Sequence, residues 1–200
     1  MAKLSFHLGF LSKTIISFAI IFLIFDLVIL WIVIKPQLPS FQLNSALVSS
    51  LSTTTDAELT AAFDVAVNVR NPNPDLHVSY ESVEVAVWFG HRTIASASVE
   101  PFWQVAGSET PVRARFGVER KPFPRGVVNG IGEQRGRGSV DFGVTLLARV
   151  RFWWGPIVRT RARSLTIECY PLHLVFPLND YINNNNDTGR SIAPYDCYQV

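Results

Sequence analysis

The chain has 200 residues, of which 48% are hydrophobic and 17% charged, and its formal net charge at pH 7 is +2. A nearly neutral charge gives no general signal of nucleic-acid binding, and two cysteines are too few for a disulfide scaffold. Beyond an apolar N-terminal stretch, the remaining length is enough for one compact domain.

The N-terminal part contains an apolar run at residues 15–34, IISFAIIFLIFDLVILWIVI. Its length matches the roughly 20 residues that a helix needs to cross a bilayer. It is longer than the apolar region of a cleaved signal peptide, and Lys35-Pro36-Gln37 follows it where a small-residue cleavage site would stand. The sequence therefore predicts a single transmembrane signal anchor. Asp26 lies within the run, and we interpret it as tolerated there or paired with another helix.

The charges that flank the run predict its orientation. Lys3, Lys13 and the amino terminus precede it, and after Lys35 no basic residue follows until Arg70. The positive-inside rule therefore places residues 1–14 in the cytosol as a short tail and the C-terminal body outside the cell or in a lumen.

Alternating apolar residues predict β-strands throughout the body. No helical pattern separates them, so the predicted fold class is all-β, an antiparallel β-sandwich of immunoglobulin or fibronectin-III type. The predicted segments are a linker with the first strand at residues 35–60, the sandwich at 61–180 and, because the last part is polar, a disordered tail at 181–200. The strand patterns lie at residues 62–69, 83–87, 93–99, 112–118, 140–152 and 165–175.

Turn residues separate these strands. Asn71-Pro72-Asn73 follows the first clear pattern, and further corners are expected at Gly107-Ser108, residues 122–138 and Trp154-Gly155-Pro156. Proline fixes its own φ and pushes Asn71 toward extended geometry, while Asn73 can cap neighbouring backbone groups. We interpret Asn71-Pro72-Asn73 as a structural turn motif, with a recognition loop as the alternative.

Arginines alternate along the two predicted strands that meet at the Trp153-Trp154 corner. Alternate residues of a strand share a face, so each strand presents a basic row. An odd-numbered loop would merge the rows into one face, and a loop of even length would place them on opposite faces. The two interpretations are a solvated face that keeps the sheet soluble and a docking surface for an anionic polymer or lipid headgroups. These arginines are Arg149, Arg151, Arg159, Arg161 and Arg163.

Modification sites follow from the exported topology. Cys169 and Cys197 either form a disulfide or remain two free thiols, and both alternatives stay open. Asn186-Asp187-Thr188 is an N-glycosylation sequon, with Asn186 as the acceptor.

The sequence contains no recognisable catalytic, metal-binding or dinucleotide-binding motif. The four histidines have no metal-ligand spacing, and no Gly-x-Ser-x-Gly elbow is present. Gly130, Gly132 and Gly136 miss the dinucleotide-binding spacing. The sequence therefore predicts neither an enzyme nor a cofactor or metal site.

Seven short segments of the chain form a characteristic set in their order and spacing. They are Pro39-Ser40-Phe41, Val67-Asn68-Val69-Arg70-Asn71-Pro72-Asn73, Tyr80-Glu81-Ser82-Val83, Ile94-Ala95, Pro101-Phe102, Val150-Arg151-Phe152 and Leu165-Thr166-Ile167-Glu168-Cys169. In these segments the chain resembles the plant harpin-induced and non-race-specific disease-resistance-like membrane proteins, which carry a group 2 late-embryogenesis-abundant domain, also called the water-stress and hypersensitive-response domain. The resemblance covers roughly residues 35–175 and leaves the Gly/Arg-rich insert at 125–138 unmatched.

The resemblance implies an immunoglobulin-like sandwich, a role in plant defence or stress at the cell periphery, and no reaction. We expect a non-enzymatic interaction module in the plasma membrane, with the endoplasmic reticulum membrane or plasmodesmata as alternative locations. Its expected partner is an unidentified protein or a second copy of the chain. The alternative is a structural or protectant protein that contacts lipid headgroups or cell-wall polymer through its basic sheet face.

Overall fold

The computed structural model describes residues 2–33, 35–176, 188–191 and 194–200. The chain divides into two compact units, Met1–Gln37 and Leu38–Val200. The elements in chain order are α1 (Ala2–Val33), β1 (Ser40–Thr53), β2 (Glu58–Arg70), β3 (His77–Phe89), β4 (Arg92–Val99), β5 (Phe102–Gln104), β6 (Glu109–Pro122), α2 (Arg125–Gly136), β7 (Ser139–Trp154), β8 (Val158–Arg159), β9 (Arg163–Val175), β10 (Gly189–Ser191), β11 (Tyr195–Asp196) and β12 (Tyr198–Gln199).

The first unit consists mainly of α1, which contains the apolar run up to residue 33. Its described side chains are those of residues 13–28. Within the described part of the chain, no helix combines the length and the apolarity that crossing a membrane requires. The large apolar side chains described in α1 are exposed: Ile15, Ile16, Phe18, Ile20, Ile21, Phe22, Leu23, Ile24, Phe25, Leu27 and Val28.

The second unit is built on one antiparallel sheet, so the all-β prediction is confirmed at the level of fold class. Its main strands follow the order β4-β3-β7-β9-β10-β1-β2-β6. The shorter strands β5, β8, β11 and β12 pair with β3, β7, β1 and β9 respectively. The terminal strands β4 and β6 also lie next to each other, so the sheet is nearly closed.

The core lies inside this curved sheet and follows the alternation of the sequence. In β2, Phe63, Val65, Val67 and Val69 are buried, while the intervening residues face outward. The ring of Phe63 packs edge-on against the ring of Phe142 in β7, with a centroid distance of 5.6 Å. Because β9, β10 and β1 separate these strands in the sheet order, the sheet must fold over to bring their inner faces together. Burying side chains of this size stabilises a fold by about 1.5–3 kcal/mol each.

The segment predicted as a corner at residues 122–138 contains the helix α2 instead. Four glycines among its twelve residues lower its intrinsic helix propensity, which explains why the sequence pattern was misread. Val128 and Ile131 lie three positions apart and are buried, so tertiary packing stabilises the helix. Gly130 permits close contact, since a Cβ there would lie 3.1 Å from the ring of Phe89.

The prediction that residues 181–200 are disordered is wrong for the described part of that tail. Gly189–Ser191 pairs with both β1 and β9, and Tyr198 pairs with Glu168 of β9. The polar composition suggested disorder because it offers little apolar area to bury. Backbone hydrogen bonds to two strands and a disulfide hold the described segments in place.

Candidate interaction surface

The strand register identifies the end of the domain at which the chain enters, here called the proximal end. Ser40 of β1 pairs with Arg70 of β2, which pairs with Glu109 of β6. The next residue, Asn71, donates its backbone N–H to the carbonyl oxygen of Ser108 at 2.9 Å. The loops 71–76 and 105–108 therefore lie at the same end of the domain as Ser40.

The Asn71-Pro72-Asn73 motif forms a buried hydrogen-bonded joint at the proximal end. Asn71 is fully buried, and its Nδ2 donates to the carbonyl oxygens of Leu76 at 2.7 Å and Val105 at 3.1 Å. Its Oδ1 accepts from the backbone N–H of Asn73 at 3.1 Å and from its Nδ2 at 2.9 Å. The motif thus satisfies backbone groups of two loops from inside the domain, and the side chains of Asn71 and Asn73 are buried.

Gln104 extends this joint and was missed by the sequence analysis. Its side chain is fully buried and donates to the carbonyl oxygens of Val69 at 2.7 Å and Ser108 at 3.1 Å. It accepts a 3.0 Å hydrogen bond from the hydroxyl of Tyr80, which stacks on Phe102. Burial raises the pKa of Tyr80 well above its usual value. A polar residue in a short apolar strand, as in Phe102-Trp103-Gln104, is the signal that could have indicated it.

Two of the predicted arginines share one carboxylate. The Nε of Arg149 lies 3.3 Å from Oε2 of Glu81, and the Nε of Arg151 lies 2.7 Å from its Oε1. Glu81 occupies a register shift in β3 between Tyr80 and Ser82. The Arg149 side chain is exposed, so its ion pair contributes little to stability, whereas the Arg151 pair is partly buried. Both pairs neutralise part of the predicted basic row.

The register of the arginine hairpin was open from the sequence, and the structure gives a loop of three residues, 155–157. Trp153 pairs with Arg159, and Trp154 pairs with Val158. Directly opposed residues share a face, so Arg159 lies on the same face as Trp153 and, by alternation, Arg151. The Arg159 guanidinium also lies over the Trp153 ring, 5.5 Å from its centroid.

The second predicted row is interrupted. Thr160 still pairs with Phe152, since its N–H donates to the Phe152 carbonyl oxygen at 2.9 Å. Arg163, however, pairs with Val150, so one extra residue is inserted between residues 160 and 163. The structure therefore brings Arg149, Arg151 and Arg159 onto one face and leaves Arg163 out of that row.

The same hairpin ends in exposed apolar side chains. Trp154, Ile157 and Val158, here called the hairpin tip, are 41%, 85% and 57% exposed. Arg159, Arg161 and Arg163, which follow it and are exposed, are here called the outer arginines. Ile157 and Val158 were missed by the sequence analysis, although branched apolar residues directly after a Gly-Pro corner are the signal for an exposed apolar turn.

A second charged cluster lies on the outer face of β2 and β6. Arg113 donates to Asp64 from Nε at 2.6 Å, and Arg115 donates to it from Nε at 3.0 Å. The hydrogen bond from Arg113 is the main reason that the pKa of Asp64 lies below its usual value. Asp64 and Arg113, together with Arg190 and Ser191, border a cavity of about 250 Å³.

The two predicted modification sites differ in whether the structure describes them. Cys169 and Cys197 form a disulfide that attaches the tail to β9. Asn186 lies outside the described residues. Among the residues that the structure describes, no group of three or more His, Cys, Asp or Glu side chains is arranged to hold a metal ion.

Fold and surface together define an all-β domain with a buried polar joint and a basic, partly apolar hairpin at one end. The profile of the family described as Late embryogenesis abundant protein (LEA_2) matches residues 66–169, and the chain belongs to this family. The match spans strands β2 to β9, including the Asn71-Pro72-Asn73 joint and Cys169.

Curated relatives extend the similarity over most of the chain. It is 23% identical to NDR1/HIN1-like protein 26 of Arabidopsis thaliana over 83% of this chain and 82% of the relative. It is 25% identical to NDR1/HIN1-like protein 10 of the same plant over 95% of this chain and 82% of the relative. The resemblance stated from the sequence is thereby confirmed, and the family implies a role in plant stress or defence.

Among solved structures, a protein from Archaeoglobus fulgidus matches with a TM-score of 0.36 and 12% identity, covering 68% of this chain and 98% of that chain.

Proposed function

We propose that this chain is a non-enzymatic interaction module of the plant plasma membrane that acts in defence or abiotic-stress response. A single transmembrane helix at residues 15–34 holds it, with the N-terminus in the cytosol and the domain outside the cell. The endoplasmic reticulum membrane and plasmodesmata are the alternative locations. The observation that carries this proposal is an apolar run of bilayer length on the N-terminal side of a LEA_2 domain. The exposed apolar side chains of residues 15–28 support it, because such a surface needs an apolar environment.

The domain is proposed to be an immunoglobulin-like sandwich. The contact between Phe63 and Phe142 supports this assignment, because it joins the inner faces of β2 and β7 across the core. The strands β4, β3, β7 and β9 would form one layer, and β1, β2 and β6 the other.

The module is proposed to bind an acidic partner protein through its proximal end. The outer arginines are exposed, whereas Arg149 and Arg151 already share Glu81. Free positive charge at one end of a tethered domain raises its encounter rate with an acidic surface. Self-association with a second copy of the chain is the second form of this proposal.

The alternative is a structural or protectant protein that acts by covering lipid headgroups or cell-wall polymer.

Proximity labelling from a C-terminal fusion in plant tissue distinguishes the specific interaction module from the protectant. A specific module should label one partner, and Arg159→Gln, Arg161→Gln and Arg163→Gln together should remove that labelling. The matched control carries Arg149→Gln and Arg151→Gln. These two arginines are already paired with Glu81, so this variant should still label the partner. Diffuse labelling that the substitutions reduce only gradually would favour the protectant.

Topology is tested on the full chain in protoplasts. Protease added outside intact cells should remove a C-terminal tag, and alkaline carbonate should leave the chain in the membrane fraction. Asn186 should carry a glycan that Thr188→Ala abolishes, because the sequon requires the threonine. A protected tag together with an unglycosylated Asn186 would reverse the orientation, and release by carbonate would refute the anchor.

A further inference from the structure

We propose that the β7–β8 hairpin is a membrane-docking element: the hairpin tip enters the headgroup layer of the anchoring membrane, and the outer arginines contact anionic headgroups. This inference rests on the proposed anchor at residues 15–34 and deepens the lipid-contact alternative, so that at the proximal end the bilayer takes the place of the acidic partner protein. The ligand class is the surface of an anionic bilayer.

Exposure is the first observation. Ile157 is 85% exposed and Val158 57%, side by side with the half-exposed Trp154. A soluble hairpin normally carries polar residues at its turn, and apolar side chains in this position are not needed for the core of the described domain. Tryptophan is enriched where an apolar phase meets water, since its ring is amphipathic.

Position is the second observation. Trp153 pairs with His77, the first residue of β3. The adjacent loop, 71–76, joins Ser108 through Asn71, and Arg70 pairs with Ser40. The hairpin therefore projects from the same end of the domain at which the chain enters.

Chain length then limits how far this end can be from the membrane. Residues 35–39 connect the apolar run to Ser40 of β1. Five extended residues reach about 17 Å at most. A domain tethered so closely keeps its proximal end at high effective concentration near the bilayer, so weak contacts of the tip are sufficient for docking.

Charge is the third observation. The segment from residue 149 to residue 165 contains no acidic residue. Its outer arginines are exposed around the base of the tip, and long arginine side chains can keep their charge at headgroup level while the stem lies deeper. Apolar groups at the tip with cations around the base match a bilayer interface, which is apolar below and carries phosphate groups at its surface.

The test uses the full chain reconstituted in vesicles, with an environment-sensitive fluorophore on Ile157→Cys. The native cysteines are joined in a disulfide, so the label reacts with the new thiol. The matched control is His91→Cys, an exposed residue in the β3–β4 turn at the opposite end of the domain. Nitroxide lipids should quench the Ile157 probe about twofold or more beyond the His91 probe, because an interfacial side chain lies at headgroup depth.

Vesicle composition tests the arginines. Quenching of the Ile157 probe should be stronger in phosphatidylglycerol than in phosphatidylcholine vesicles, and this difference should vanish when the outer arginines are changed to glutamine. Added salt should reduce it as well, since exposed charges are screened.

The unfavourable outcomes are distinguishable. If the chain remains in carbonate-washed vesicles but both probes are quenched equally, docking is refuted and the anchor stands. If the Ile157 probe is shielded from water but is not quenched by the nitroxide lipids, a protein partner covers the hairpin tip. That outcome would also refute docking. Release of the chain by carbonate would refute the anchor, and docking with it.

Discussion

Substitution Asn71→Ala tests whether the buried joint at the proximal end stabilises the domain. It removes two donated and two accepted hydrogen bonds and leaves the carbonyl oxygens of Leu76 and Val105 without that donor. A lost hydrogen bond costs about 1 kcal/mol, and a buried group left unsatisfied costs about 1–3 kcal/mol. We therefore expect the free energy of unfolding to fall by about 3–5 kcal/mol. Asn71→Asp should be at least as harmful, because its carboxylate would face both carbonyl oxygens.

The assay is urea unfolding of the full chain in mild detergent, followed by tryptophan fluorescence. Asn68→Ala is the matched control: Asn68 lies in the same strand and donates to Glu109 at 2.8 Å, but this hydrogen bond is exposed. Its loss should cost less than about 1 kcal/mol. Equal losses from Asn71→Ala and Asn68→Ala would refute the view that the buried joint matters more than a surface hydrogen bond.

Three further changes test other parts of the fold. Replacing Cys169 and Cys197 by serine releases a cross-link over 28 residues and should lower the free energy of unfolding by about 3–4 kcal/mol, measured with urea; an unchanged midpoint would contradict this. The pKa of Asp64 is depressed from 3.8, mainly by the arginine hydrogen bond, so its stabilisation is complete above that value and is lost as pH falls through the depressed pKa. Asp64→Asn should remove the loss of stability that occurs as pH falls through the depressed pKa of Asp64. An acid-unfolding curve identical to that of the unsubstituted chain would refute this contribution of Asp64. Gly143→Ala places a Cβ 2.1 Å from a tryptophan ring, whereas Gly126→Ala meets nothing within 4 Å; only the first should lower the melting temperature.

Alternation in the sequence was sufficient to predict six of the long strands, β2, β3, β4, β6, β7 and β9. In β2, Val65, Val67 and Val69 recur every second residue and are buried in the structure, because successive side chains of a strand point to opposite faces. The Asn71-Pro72-Asn73 corner could also be predicted, since proline restricts the backbone on both sides. These features depend on local geometry that short segments encode.

Features that depend on distant partners could not be predicted. The helix α2 is stabilised by burial of Val128 and Ile131, and its glycines conceal this in the sequence. The described tail is held by strands that lie far away in the chain. In the arginine hairpin, the extra residue after Thr160 changes the face of Arg163, and a shift of one residue leaves the alternating pattern of each strand intact.

At the proximal end, the buried joint fixes the loops from inside, and the hairpin presents an exposed apolar turn. Asn71 and Gln104 bind the backbone of the loops 71–76 and 105–108 from inside, so these loops are fixed by groups that solvent and partners do not reach. The β7–β8 hairpin is held through its base, where Trp153 pairs with His77 and contacts Arg159, while its apolar turn projects outward. A rigid base with an exposed tip orders the contact residues before they meet a partner, which reduces the entropy lost on binding. Changes in the joint should therefore weaken binding through stability, whereas changes at the tip should weaken it with the unfolding free energy unchanged.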